Sequence, residues 1–374
     1  MKQGSLSLRA IGKMVAAAAA AVAAFGLAAG GPAAAQSPQW DALVAAAKKE
    51  GVLVLGGPIS VPSRAFLLER WSRDFPDIKM QFTAAAGFQW SNRIRAEREA
   101  GNYLWDVFFS GPNVAVYQLA REGVFNSVRD AWVLPELTAP ETWRLPLDQA
   151  FADEGRRLFT PFQQTVSPFY NAKLISPEKV EKLGIKVLLE PEYKGKIAWF
   201  DPRIGGPGSN DAVFLHKVIG DDDMKRVIVD QDSKFFRNTG QAVEAMVRES
   251  AAFVLGVALD REAAQYRAAG LKFDFRRLGN TATTAYETTG GSVLALIDRA
   301  PNPSAAKLFA NWILTRDVLR DYVKADQWNT IRADVEPIDP SGLPAKGESY
   351  IAAQREALVA DKAKTQDFIR ALRP

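Results

Sequence analysis

The sequence predicts an α/β protein of two lobes, each a mostly parallel sheet flanked by helices, joined by hinge strands. Three observations carry this. From Trp40 onward, short apolar runs bounded by glycine or proline alternate with longer stretches of helical periodicity, the pattern of strand-loop-helix units. An extended stretch at Leu158–Tyr170 divides that alternation into two sets, and 374 residues suffice for two cores. A further apolar run, Thr288–Ile297, follows the second set and reads as a return crossing.

Residues 1–35 read as a cleavable export signal rather than as part of the fold. Lys2, Arg9 and Lys13 form a basic start, an apolar run extends from Met14 to Ala29, and Ala33-Ala34-Ala35 supplies a small-residue cleavage site near Ala35. The first lobe is then expected over 36–160 and the second over 161–287. Residues 288–374 cross back to the first lobe and carry the C-terminal helices.

Within the first lobe, Trp40–Lys49 has helical spacing and stops at Gly51, and Val52–Leu55 is a buried strand. Gly56-Gly57-Pro58 turns the chain, Ser60 caps a helix with Pro62 in its first turn, and that helix continues over Ala65–Phe75. Ile78–Thr83 is a second strand, Ser91–Ala100 a helix, Asp106–Phe109 a third strand, and a helix runs from beyond Pro112 to Glu122. In the second set, Pro177–Leu183 is a helix and Lys196–Phe200 a strand. Asp201–Ser209 is too rich in glycine and proline for either element. Asn210–Ile219 is a helix, a further helix is led by Asp221–Asp223, Gly240–Glu249 is helical, and Phe253–Leu255 is a strand. The last helices are Ser304–Leu314 and Tyr350–Leu372, with Pro337–Gly347 a surface connection between them.

Composition excludes much chemistry. With no cysteine and one histidine, disulfides, thiolate metal sites, multi-histidine metal centres and a cysteine nucleophile are all ruled out. Removal of the leader lowers the formal net charge from +4 to +1. No basic stripe interleaved with aromatics suggests nucleic acid. His216 sits inside a helix beside Phe214 and Leu215, poorly placed to activate a serine, and no carboxylate pair is placed for acid and base work. No catalytic residue, metal ligand or cofactor is expected.

In open parallel sheets ligands bind beyond the carboxyl ends of the strands. That rule selects the loops Gly57–Ser60, Ala86–Trp90, Ser110–Asn113, Asp201–Ser209 and Asn238–Gly240, several of which lead into helices whose free N–H groups suit an anionic or strongly polar ligand. Arg203 either forks onto a carboxylate or phosphate or sits in a tight turn. Phe88 and Trp90 either line the cleft or pack on their own lobe. The ligand-binding candidates are Ser60, Phe88, Trp90, Ser110, Gly111, Arg203, Gly208, Asn238, Thr239, Gly240 and Thr289.

Several segments carry a family resemblance: Leu43–Gly51, Tyr193-Lys194-Gly195-Lys196-Ile197 with Asp201-Pro202-Arg203, Ala300–Phe309, Asn311-Trp312-Ile313-Leu314 and Arg332-Ala333-Asp334-Val335. In this order they resemble the bacterial extracellular solute-binding proteins of ABC importers, in the branch that includes ferric-ion binders. The resemblance implies the periplasmic-binding-protein fold, a periplasmic location, a monomeric protein with an interlobe cleft, and closure on one solute that is handed to a membrane permease and its ATPase. Gln163–Tyr170 and Thr288–Ser292 are the implied hinges. Ferric binders of this branch use an adjacent tyrosine pair near the positions here held by Gly256-Val257-Ala258-Leu259, and no such pair occurs in this chain. A small polar, anionic organic solute is therefore expected. The alternatives are ferric iron or an iron chelate, and service to a sensor system instead of a permease.

Overall fold

The first helix, α1 (Pro38–Glu50), begins and ends where its caps dictate: Ser37 Oγ accepts the Trp40 N–H at 3.1 Å, and Gly51 closes the helix at φ 69°. The computed structural model describes residues 37–374, apart from residues 86 and 258 and the side chains at 87, 88, 260, 261, 264 and 265. The expected export signal lies outside the described residues. After α1 come β1 (Val52–Gly57), α2 (Val61–Asp74), β2 (Lys79–Ala84), α3 (Gly87–Glu99), β3 (Val107–Ser110), α4 (Val114–Arg121) and β4 (Phe125–Asn126). Then follow β5 (Gln164–Val166), β6 (Phe169–Asn171), α5 (Pro177–Leu183), β7 (Ile197–Phe200), α6 (Pro207–Lys225), β8 (Lys234–Phe236), α7 (Thr239–Val247), β9 (Phe253–Leu255), α8 (Leu259–Ala268) and β10 (Phe275–Arg277). The chain finishes with β11 (Tyr286–Thr288), β12 (Val293–Ile297), α9 (Pro303–Trp312), α10 (Arg316–Asp326) and α11 (Val359–Leu372).

These strands form two five-stranded sheets. The first has the order β2-β1-β3-β12-β4, with β1 parallel to β2 and β3, and β12 antiparallel to β3 and β4. All five residues of β12 are buried, as an inner strand covered on both faces requires. The second sheet has the order β10-β6-β9-β7-β8, in which β7 runs parallel to β8 and β9 while β6 is antiparallel. Between them β5 and β11 pair as a separate antiparallel ribbon, Gln164 opposite Thr288 and Val166 opposite Tyr286.

A third crossing was not read from the sequence. After α10 the chain runs back along the ribbon, where Gln163 N–H donates to Asn329 O at 3.0 Å and Glu287 pairs with Ala352. Thr165 Oγ1 donates to Gly342 O at 3.2 Å, so the stretch expected as a mere surface connection embraces β5. Glu356 touches the first lobe through the Ala152 carbonyl at 2.8 Å and Arg121 at 2.5 Å. The chain then leaves that lobe: α11 packs on α6 through Lys217–Asp361 at 2.6 Å, His216 Nδ1 to Thr365 Oγ1 at 2.9 Å, and the Phe368 ring on His216 at 4.6 Å. His216 is thus a staple between two helices.

The Asn210–Ile219 helix begins three residues early. Pro207 occupies the first turn after Gly206 at φ 108°, and the two expected helices meet at Gly220, whose φ 77° and ψ 176° break α6. Trp71 and Trp312 meet edge-on at 5.1 Å in the first lobe, while Trp199, Phe214 and Phe253 fill the second. Burying each such side chain contributes roughly 1.5 to 3 kcal/mol.

Candidate ligand-binding site

The strand-end loops that topology singles out are built from the polar residues the sequence offers, and most of those side chains turn inward. Ser60 is buried and accepts the Ser63 N–H at 3.4 Å as the cap of α2. Ser110 Oγ donates to Ala85 O at 3.0 Å, tying the end of β3 to the end of β2. Asn238 caps α7 by accepting the Gln241 N–H at 3.3 Å, and Thr239 Oγ1 donates to Glu262 at 2.9 Å. Thr289 gives both its N–H and its hydroxyl to Gln354 Oε1, at 3.0 and 3.1 Å. These residues shape the loops, and the groups left to meet a solute are mainly backbone.

Two candidates sit differently from the cleft reading. Trp90 is 3 % exposed, its ring 4.5 Å from Phe108 and 5.8 Å from Trp105, and its indole fills the space over Gly56 where a Cβ would stand. It is first-lobe core, because the first turn of α3 points it down onto the sheet. Arg203 is already engaged: Nε and Nη2 fork onto the Asp201 carboxylate at 2.9 and 2.8 Å, and Nη1 reaches the Arg373 and Pro374 main-chain oxygens at 3.1 and 2.9 Å. Its guanidinium lies over Phe235 at 5.3 Å. Burial alone would raise the Asp201 carboxyl, but the Arg203 hydrogen bonds and charge outweigh it and hold it below its ordinary value. Arg203 is thus held within its own loop and against the C-terminal backbone. The Phe88 side chain lies outside the described residues.

Gly208 and Gly256 hold two second-lobe loops in contact. A Cβ on Gly208 would stand 2.0 Å from Phe200 O, and one on Gly256, at φ 72°, would stand 2.6 Å from the Gly208 Cα. Beneath them lies Asp211, fully buried, with Oδ2 accepting the Gly256 N–H at 2.6 Å and the Tyr286 hydroxyl donating to the same carboxyl. Oδ1 has no partner. Burial pushes this carboxyl up to about 6 despite both hydrogen bonds. One side chain therefore joins α6, the loop after β9 and the ribbon strand β11.

In the first lobe, Gly111 approaches the return crossing closely enough that a Cβ would meet Gly291 O at 3.2 Å. Asn113 caps α4 through Oδ1, at 2.9 Å to Ala115 N–H, while its Nδ2 is buried without a partner. Exposed apolar side chains stand on the same edge, Ile59 at 69 %, Val61 at 77 % and Val114 at 47 %. Gly240 lies in the first turn of α7, with its amide beside Asn238. Among the described residues no three His, Asp or Glu side chains are grouped to hold a metal ion.

Two sheets of this topology, spanned by a short ribbon and presenting their strand-end loops, define a two-lobed binding protein of the periplasmic type. Residues 56–318 match the model for bacterial extracellular solute-binding proteins, and the chain belongs to that family. No curated protein matches the sequence. Among solved structures, iron-bound HitA from Pseudomonas aeruginosa is 15 % identical with a TM-score of 0.65, over 86 % of this chain and 99 % of that chain. AfuA from Actinobacillus pleuropneumoniae, with fructose-6-phosphate bound, is 16 % identical with a TM-score of 0.58, over 85 % and 97 %. The Trichodesmium protein IdiA (FutA), in complex with iron and citrate, is 15 % identical with a TM-score of 0.59, over 85 % and 99 %. At these identities the likeness is one of fold.

Proposed function

We propose that the chain is the substrate-binding component of an ABC importer that captures a small, polar, anionic organic solute between its lobes and delivers it to the permease. The observation that carries the reading is the set of helices α2, α4, α6 and α7, each starting at the carboxyl end of a parallel strand. Their first N–H groups and positive ends favour carboxylate or phosphate oxygens without any resident cation. Ser60, Gly111, Gly208, Asn238 and Gly240 serve by shaping and approaching, with backbone amides as donors. Closure follows from ligand-biased bending of the β5–β11 ribbon.

An organic solute is favoured over bare ferric iron because Fe(III) calls for anionic oxygen ligands, and the adjacent tyrosine pair of the ferric binders has no counterpart in the sequence. Iron carried with an organic acid keeps some support from the iron and citrate named for the Trichodesmium neighbour. The test is a thermal-shift and calorimetric screen of the purified protein against organic acids, sugar phosphates, ferric salts and ferric citrate. Organic acids or sugar phosphates raising Tm support the proposal. A shift from ferric salts alone transfers the assignment to iron, and a shift from no class counts against solute capture.

A further inference from the structure

Eight of the nine tryptophans, at 40, 71, 90, 105, 132, 143, 199 and 312, are buried in the cores. The ninth, Trp328, is half-buried. It follows the α10 terminus, where Gln327 adopts a left-handed conformation at φ 60°, and precedes Asn329, which is pinned to the ribbon by the Gln163 N–H at 3.0 Å and to the Asp339 N–H at 2.9 Å. The backbone on both sides of Trp328 is therefore fixed in direction. Its ring lies against the return crossing: a Cβ on Gly290 would stand 3.3 Å from the indole, and one on Gly291 would stand 3.6 Å from Nε1. Gly291 is exposed, and Gly111 from the loop after β3 adjoins it. No aromatic ring or cation among the described residues covers the indole, and Nε1–H donates to none of them.

We infer that Trp328 is the stacking platform of a binding subsite that takes planar, conjugated carboxylates. Buried tryptophans in this chain pack on other rings; the Trp328 indole is half-buried beside the glycine backbone, pairs with no ring among the described residues, and its Nε1–H donates to none of them. A flat conjugated ring stacks on the indole, and one ligand oxygen accepts Nε1–H. Glycine at 290, where a Cβ would stand 2.7 Å from the Phe162 Cβ and 3.3 Å from the indole, lets the return crossing lie close beside Trp328. The inference rests on the solute-capture reading and sharpens its solute class.

Two measurements test it. First, iodide quenching of tryptophan fluorescence needs no ligand. The wild-type protein should show one accessible fraction that Trp328→Phe removes, and an unchanged accessible fraction overturns the inference. Second, thermal-shift titrations use benzoate and nicotinate, with cyclohexanecarboxylate as the saturated control, on wild type, Trp328→Phe and Trp328→Ala. The expected result is binding of the planar acids more than tenfold weaker in Trp328→Ala and within about threefold of wild type in Trp328→Phe, which keeps a ring. Equal binding in wild type and Trp328→Ala overturns the inference, as does a wild-type response to saturated acids or sugar phosphates but not to planar ones; both leave solute capture standing. If no solute of any class shifts the wild-type protein, both readings fall.

Discussion

Asp211→Asn isolates a buried acid that ties the ribbon strand β11 to α6 and the loop after β9. The carboxyl rises from its ordinary 3.8 to about 6, so the fold favours the neutral form. At 1.36 kcal/mol per pKa unit, a rise of roughly two units is worth about 3 kcal/mol. Because the folded value is the raised one, this contribution is fully present below pH 3.8 and is lost as pH climbs through about 6. The fold should therefore be weaker at pH 7.5 than at pH 4.5 on account of this group. Asp106 acts in the same direction: burial pushes it up to about 6 while it accepts the Val54 and Asn302 N–H groups at 2.7 and 2.8 Å. Asparagine at 211 keeps an acceptor for Gly256 and places an amide beside the Tyr286 hydroxyl. Urea unfolding at both pH values should show the variant more stable than wild type by up to about 3 kcal/mol at pH 7.5 and by only about 1 kcal/mol at pH 4.5. An identical difference between the two pH values in both proteins would refute a neutral Asp211 in the fold.

Arg203→Ala should lower stability by about 1 kcal/mol, the scale of a partly exposed ion pair, while leaving affinity for an anionic solute within about twofold. Paired unfolding and calorimetric titrations check it, and a tenfold affinity loss would return Arg203 to the ligand. Gly256→Ala combines a positive φ with a Cβ 2.6 Å from the Gly208 Cα, so a large fall in the urea midpoint or failure to fold is expected. Phe253→Ala empties a fully buried second-lobe site and should cost about 3 to 5 kcal/mol, read from the same melts.

The two-lobed fold was legible because its signals are local. Short apolar runs, the Gly51 stop and the Ser60 cap with Pro62 in the first turn all act within a few residues. What stayed hidden depends on distant partners. Asn238 has a side chain equally suited to capping a helix and to meeting a ligand, and only the folded arrangement shows it capping. Trp90 reads as a loop aromatic until Gly56 and Phe108 are placed beneath it. Arg203 stays open to two readings in the sequence, because its neighbour Asp201 and the C-terminal carbonyls 170 residues further along the chain are identified as its partners only in the fold. Trp328 carries no strand-end signal of its own; its exposure arises from the pairing of Asn329 with Gln163 and from the glycine pair at 290 and 291. The third crossing escaped notice because the terminal helix could satisfy its apolar face on either lobe.

The placement of β12 between β3 and β4 sets an order of assembly. The second sheet draws its strands from one continuous stretch, Phe169–Arg277, whereas the first stays split, with β3 an open edge, until a strand from about 185 residues later arrives. Contacts of that separation form slowly, since a long loop must close before any of them is made. The second lobe should thus acquire protection from amide exchange first in refolding, with the first lobe completing only after residues 293–297 dock. For a chain that emerges N-terminus first, the lobe made earliest is the one finished last.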